Sequence, residues 1–364
     1  MQITMFDGGK KIMFDKPIRL IELFGGYGSQ AFALKYLGVN FEHWRLCEWA
    51  VKSIQAYKDA HFTNDTTDYS QGLSDNYIYE QLCKWGISAN YNEPMTAEQI
   101  KRLGIVKQRQ IFSNIIATHN LVNIQQVKGE DLGITETDKY CYIMTYSFPC
   151  QDLSNAGKGA GMEKGSGTRS GMLWEVERIL DECKELPQVL LMENVPEVKG
   201  TKNIKHFAEW VKKLESLGYH CYWQVLNAKD YGVPQNRERC FMVSTLGDYY
   251  YEFPKSVKLE HKLKDLLEDE VDEKFYLSSK KIETISNWKA QQDPLKDINK
   301  PKEICPTLTA RGAGEEHSGM VLINEDVYFN NNLKQKLCND LIANGKVQEY
   351  DVIRHSYSTN RNKL

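Results

Sequence analysis

The chain has 364 residues, a formal net charge of −3, 41% hydrophobic and 26% charged side chains. That is an ordinary globular balance with material for a sizeable core, in one large domain with a smaller lobe or in two domains, and its near-neutral total neither demands nor forbids a polyanionic partner. Nine cysteines dispersed from Cys47 to Cys338 without a CxxC pair argue against a disulfide framework, and with no signal-peptide core and no apolar run of about 18 residues the reading is a cytoplasmic protein with no membrane span.

Residues 18–24, IRLIELF, form a short apolar run rich in branched side chains and predict a buried strand. The run ends in GGYGS, and QAFALKYLG then reads as a helix stopped by Gly38. A second strand is expected over FEHWRLCE and a helix from about Ala50. Strand, turn, helix and strand in that order open a parallel, doubly wound sheet. Residues 69 to about 120 read as a mostly helical insertion without legible chemistry. Further buried strands are expected at 140–148 (YCYIMTYSF), 188–195 (QVLLMENV) and 238–245 (ERCFMVST), with MLWEVERILDEC as a helix between the first two. A catalytic region is thus expected over 1–246. Beyond it the composition turns charged and weakly periodic, and 247–364 is expected to form a second, smaller region whose acidic run is a solvated face.

Four stretches carry chemistry. In the first turn, Phe24, Gly26 and Gly28 stand at alternate positions with Gly25 and Tyr27 between them and Ala31 following. Such glycines let the backbone approach a ligand closely, and a helix N-terminus offers N–H groups to an anion. Glu48 comes about 20 residues on, at the end of the next strand, where a carboxylate accepts ribose hydroxyls. Trp49 beside it offers a flat face for a purine. A nucleoside-containing cofactor fits, whether a dinucleotide or S-adenosylmethionine; for the glycines alone, a tight structural turn also fits.

In SFPCQDLSNAGKGAGM, Cys150 stands on the loop after a strand, at the sheet edge where open α/β folds place their chemistry. Pro149 restricts Phe148 and fixes the approach. Cys150 is either a small buried side chain or a catalytic thiol, which needs N–H groups or cations to favour the thiolate. VLLMENV carries an apolar run into Glu193-Asn194. A carboxyl at the end of a buried strand is partly desolvated, which raises its pKa and suits an acid near neutral pH; a capping or salt-bridged acid is the alternative. QNRERCFMV sets Gln235, Arg237 and Arg239 at period 2, on one face of a strand. Their guanidinium groups need an anion or carbonyl there, or pair with surface acids.

Taken in chain order, FGGYGS, FPCQ, ENVP and QNRER resemble the FxGxG, PCQ, ENV and QxRxR motifs of the DNA (cytosine-5)-methyltransferases, over roughly residues 18–243. The resemblance implies an α/β, Rossmann-like, S-adenosylmethionine-dependent methyltransferase fold with a smaller target-recognition region. It implies methyl transfer to carbon 5 of a cytosine flipped out of double-stranded DNA. By the same resemblance the Cys150 thiolate attacks carbon 6, Glu193 bonds the exocyclic amine and protonates toward N3, Arg239 contacts the cytosine carbonyl oxygen, and Arg237 supports the site and a nearby phosphate. Phe24, Gly25, Gly26, Tyr27, Gly28, Glu48 and Trp49 fall to S-adenosylmethionine, with Pro149 lining the pocket and no metal implied. The glycine-rich loop after Cys150 is implied to close over the base, with Gln151, Ser154, Lys158 and, further on, Gln235 directed to DNA.

The pattern departs in two places. The aspartate that usually ends the third strand and bonds the adenine amine has Asn123, in LVNIQQ, as its nearest counterpart. The family's last motif, a helical segment closing in a GN[SA]V-like turn, is missing, although CPTLTARGAGEEHSGMVLI resembles the segment before it, where Arg311 organises recognition. A truncated chain, a split enzyme completed by a second polypeptide, and a degenerate local solution all account for that, and the chain alone is then expected to bind cofactor weakly. A bacterial or phage modification enzyme is the expected setting. A tRNA cytosine-5 methyltransferase and a non-catalytic DNA-binding subunit are the rivals.

Overall fold

A computed structural model describes residues 4–7, 10–13, 16–153, 161–247, 249–266, 272, 304–306, 320–324 and 350–354. The chain divides into two compact units, Met1–Leu226 with Arg239–Pro254, and Asn227–Glu238 with Lys255–Leu364. The division is not a single cut, because the segment Asn227–Glu238 groups with the second unit.

In the first unit a short antiparallel hairpin, β1 (Thr4–Asp7) and β2 (Lys10–Met13), precedes β3 (Ile18–Leu23). β3 is buried along almost its whole length, Glu22 included, as befits a central strand covered on both faces. α1 (Ser29–Tyr36), β4 (Phe41–Cys47) and α2 (Val51–His61) follow. The stretch read as an insertion holds α3 (Asp75–Trp85), α4 (Ala97–Arg102) and α5 (Ile105–Ala117). Ser74 caps α3 through its side chain, and Thr96 with Gln99 forms a capping box on α4. These helices share with α2 a core around Ile54, Ile78, Leu82, Ile111 and Phe112.

β5 (Cys141–Tyr146), α6 (Leu173–Glu182), β6 (Val189–Asn194), α7 (Ile204–Ser216) and β7 (Tyr219–Asn227) continue the chain. β8 (Gln235–Asn236) and β9 (Glu238–Leu246) come next. The main sheet has the order β4-β3-β5-β6-β9-β7. β4, β3, β5 and β6 run parallel, and β9 returns antiparallel against β6, so the sheet is mixed rather than wholly parallel. α6 turns Leu173, Val176, Ile179 and Leu180 into the core, and α7 turns in Phe207, Trp210 and Leu214, each at helical spacing. The fully buried Trp210 meets Tyr146 edge-on at 5.9 Å and donates from Nε1 to its hydroxyl at 3.1 Å.

Before Asn123 the chain forms one parallel bridge, Leu46 with Asn120, in place of a strand. His119 and Val122 on either side have φ of 48° and 64°, left-handed backbone that ends extended pairing. In the second unit β8 pairs in parallel with β10 (Cys305–Pro306), and β11 (Met320–Asn324) pairs antiparallel with β12 (Tyr350–Arg354). Among the described residues no helix is long and apolar enough to cross a membrane.

Trp210→Ala empties a packed site and leaves the Tyr146 hydroxyl without its donor. A loss of about 3–5 kcal/mol is expected, measured as a lowered urea midpoint at unchanged m-value.

Candidate active site at the carboxyl edge of the sheet

Leu23 stands opposite both Cys47 and Tyr146, and Tyr146 stands opposite Met192. The next residue along each of these parallel strands is Phe24, Glu48, Ser147 or Glu193. Three of the four motif segments therefore come out side by side at one edge, where the helical connections begin.

The glycine turn is tightly determined. Phe24, Gly26 and Gly28 all have left-handed backbone, with φ of 57°, 58° and 84°. For Phe24 that conformation costs about 1–2 kcal/mol, and the next residue is tied down, its Gly25 N–H donating to the Cys47 carbonyl at 3.3 Å. A β-carbon at Gly25 would lie 2.4 Å from Leu46, and one at Gly28 would lie 2.3 Å from Nε2 of His61. At Gly26 nothing lies within 4 Å of such a carbon, so the backbone there faces open space. Tyr27 is exposed. Its carbonyl lies 2.9 Å from His61 Nε2, while Lys35 Nζ lies 2.9 Å from Nδ1. An ammonium only donates, so Nδ1 accepts and Nε2–H donates to Tyr27.

Two buried carboxyls brace this turn. Glu48 accepts the Gly26 N–H at 3.0 Å and the Ala50 N–H at 2.7 Å. Glu22, fully buried within β3, accepts the Ala31 N–H at 3.3 Å and the Tyr57 hydroxyl at 2.6 Å. Burial pushes both up to about 7, against the pull of those donors. Asn120 holds Glu48 from behind: its Oδ1 accepts the Glu48 and Val122 N–H groups and its Nδ2 donates to the Glu48 carbonyl. The Trp49 carbonyl accepts the Ser88 N–H at 2.8 Å, and its ring packs on the core of the insertion. Asn123 lies on a buried turn past the bridge rather than on a strand end, and its Oδ1 accepts the Gln125 N–H at 3.1 Å.

Further along the row, β5 delivers buried Phe148, then Pro149 and half-buried Cys150. Asn194 of β6 donates from Nδ2 to the Phe148 carbonyl at 2.9 Å, which links the cysteine corner to the strand carrying Glu193. Glu193 is partly solvated, and its Oε1 pairs with Arg239 Nε at 2.9 Å. The β6–β9 register sets Glu193 opposite Phe241 and so Arg239 on the diagonal of the same face. The partner of Glu193 in that pair is itself a residue that the resemblance assigns to the site.

Gln235, Arg237 and Arg239 do not share one strand. Gln235 pairs with Cys305 in β8, the Arg237 N–H donates to Asn227 Oδ1 at 3.1 Å, and the ladder resumes only at Glu238. Gln235 and Arg237 belong to the second unit and Arg239 to the first. Gln151 is exposed. Ser154, Lys158 and Arg311 lie outside the described residues. Among the described residues no cluster of His, Cys, Asp or Glu is arranged to hold a metal. Asn120 and Asn194 escaped the sequence reading because each acts on backbone, which no motif spells out.

A carboxyl raised by folding contributes stability that is fully present below its unfolded pKa of 4.5 and is lost as pH rises through about 7. Wild-type protein is therefore expected to lose stability relative to Glu48→Gln between pH 4.5 and about 7; His43, pushed down to about 3 by burial, acts in the opposite direction in both proteins and cancels from the difference. Thermal melts of the pair across that range check the sign. Gly28→Ala adds a β-carbon at a left-handed position against the His61 ring, and equilibrium denaturation is expected to register a loss of about 2 kcal/mol.

The sequence pattern of the family described as C-5 cytosine-specific DNA methylase matches residues 96–358. The orphan methyltransferase M.SssI of Spiroplasma monobiae is 36% identical over 339 residues, 86% of each chain. The type II methyltransferase M2.ScrFI of Lactococcus lactis subsp. cremoris is 34% identical over 267 residues, 73% of this chain and 71% of that one. Two solved structures share the fold at low identity. The S. pombe Dnmt2 methyltransferase gives a TM-score of 0.54 at 16% identity, over 89% of this chain and 80% of that one. The Entamoeba histolytica methyltransferase EhMeth gives 0.52 at 15%, over 89% and 82%. The comparisons lend no support to a second polypeptide. With this span of matching sequence and a Rossmann-like methyltransferase fold, the chain belongs to the C-5 cytosine-specific DNA methylase family and is a DNA (cytosine-5)-methyltransferase.

Proposed function

We propose that the chain transfers a methyl group from S-adenosylmethionine to carbon 5 of a cytosine flipped out of double-stranded DNA, through a covalent adduct with Cys150. The observation that carries the reading is the Glu193–Arg239 pair beside the Asn194 link to the cysteine corner. It puts an acid, a guanidinium group and the cysteine-bearing loop at the same sheet edge.

The residues of the glycine turn fit the cofactor. The open space at Gly26 admits a ligand against the backbone. Each Glu48 oxygen carries one backbone N–H bond in the structure, which leaves lone pairs for ribose hydroxyls. Trp49, Asn123 and Pro149 complete the assignment on the nucleoside side, with Phe24, Gly25, Tyr27 and Gly28 shaping the turn. Bound there, S-adenosylmethionine supplies an electrophilic methyl group.

The chain's own residues perform the rest. The Cys150 sulfur forms a bond to carbon 6, and the displaced ring electrons make carbon 5 nucleophilic. Glu193, which takes up a proton from solvent when the entering base draws Arg239 away, donates it toward N3 as those electrons move, so that negative charge does not accumulate. Arg239 holds the Glu193 carboxylate in the free protein and meets the cytosine carbonyl oxygen when the base arrives. Once carbon 5 carries the methyl group, its proton passes to water, the sulfur leaves as the thiolate and the N3 proton returns to Glu193, which restores the ring. Gln151, Ser154, Lys158, Gln235, Arg237 and Arg311 are assigned to DNA, and a restriction-modification or protective setting accords with the type II and orphan enzymes among the relatives.

The test is transfer of labelled methyl by the purified chain to DNA and, in parallel, to tRNA. DNA labelling is expected to fall by on the order of 10^3-fold or more in Cys150→Ser and by about 10^2–10^4-fold in Glu193→Gln. DNA containing 5-fluorocytosine should trap wild type, but not Cys150→Ser, as a denaturant-resistant adduct. Undiminished labelling by Cys150→Ser, or preferential labelling of tRNA, overturns the reading.

A further inference from the structure

We propose that Asp152 and Ser170 are positioning residues that hold the peptide carrying Cys150 in its reactive orientation. The inference rests on the reading of Cys150 as nucleophile and goes beyond it, because neither residue belongs to the acid, the guanidinium pair or the cofactor turn.

Both side chains are buried, Ser170 fully and Asp152 at 5% exposure. The Ser170 hydroxyl donates to the Pro149 carbonyl at 2.7 Å and accepts the Asp152 N–H at 3.3 Å. In return Asp152 Oδ2 accepts the Arg169 N–H at 2.8 Å and the Ser170 N–H at 3.3 Å. The hydroxyl thus grips the chain on both sides of Cys150, and the carboxylate fixes the backbone that carries the hydroxyl. A peptide unit is planar. Fixing the Pro149 oxygen therefore also fixes the Cys150 nitrogen and Cα, and the second bond, at the Asp152 N–H, restricts the rotations about N–Cα and Cα–C that set the direction of its side chain.

Three further bonds complete the frame. The Leu153 N–H donates to the Cys150 carbonyl at 3.0 Å, and the Gly161 N–H donates to the Asp152 carbonyl at 2.9 Å. The Thr168 hydroxyl donates to the Gly161 carbonyl at 3.1 Å. The two limbs of the loop are thereby stitched together within two residues of the sulfur. Among the described residues Asp152 accepts backbone N–H bonds alone, and a buried carboxylate is an expensive way to close a turn. It is apt where a nucleophile must be aimed, because a displacement of about 1 Å lowers a rate by about 10^2.

The experiment compares wild type, Ser170→Ala, Asp152→Asn and Asp152→Ala as full chains. For Ser170→Ala and Asp152→Ala, kcat for methyl transfer is expected to fall about 10–100-fold, with KM for S-adenosylmethionine and for DNA within about twofold of wild type. The rate of adduct formation on 5-fluorocytosine DNA should fall by the same factor. Asp152→Asn keeps an oxygen for the two N–H donors and is expected to recover most of the loss. Melting temperatures identify any variant that does not fold, and the inference is then read from the remaining ones. A folded Ser170→Ala or Asp152→Ala that forms adduct at the wild-type rate, or loses kcat only in step with cofactor affinity, overturns the proposal. Absence of any adduct with wild type overturns the role of Cys150 itself, and the clasp with it.

Discussion

The parallel register of β4, β3, β5 and β6 is the constraint on which the site depends. With Cys47, Leu23, Tyr146 and Met192 in one row, the residues that follow are compelled to emerge together, although they lie far apart in the sequence. A slip of one residue in any pairing would turn alternate side chains to the opposite face and remove either Glu48 or Glu193 from the edge. The buried residues beneath the row, among them Ile21, Met144, Leu190 and Trp210, keep the register by making a slipped sheet expose apolar surface.

The two halves of the row solve the problem of a buried acid differently. On the glycine side Glu22 and Glu48 accept hydrogen bonds from N–H groups and a hydroxyl, and burial holds both near neutrality in pKa. On the cysteine side Glu193 meets a guanidinium group and keeps some access to solvent. The first arrangement suits a carboxyl that braces a turn and recognises hydroxyls. The second holds a carboxyl and a cation together within reach of solvent. Neutral His61, supported by Lys35, gives the glycine turn a third brace that carries no charge.

Much of this was legible in the sequence. Unbroken apolar runs identified β3, β5, β6 and most of β9, since central strands covered on both faces leave no polar alternation. β7 was missed because an edge strand in a mixed sheet mixes exposed and buried positions without a clean period. α7 has its signal in the sequence, Phe207, Trp210 and Leu214 at helical spacing, and was not among the expected elements. The segment before Asn123 forms no strand for a local reason, the two left-handed residues around Asn120. The shared face read into QNRER failed because Gln235 and Arg237 find partners elsewhere, a tertiary choice that spacing does not encode. Cys150, Glu193 and Glu48 stood out because their chemistry follows from residue type. Asn120, Asp152, Asn194 and Ser170 work by gripping backbone, so nothing about their identity announced them.

The helical insertion shares its apolar centre with α2 and the residues before it: Ile78, Leu82, Ile111 and Phe112 pack with Ile54, and Trp49 and Val51 lean on the same cluster. Backbone bonds add to the join, the Ser88 N–H to the Trp49 carbonyl and the Val51 N–H to the Ser88 carbonyl. A cavity opened at Ile78 or Leu82, remote from the sheet edge, is therefore felt next to Glu48, because a close-packed interior passes strain on to its neighbours.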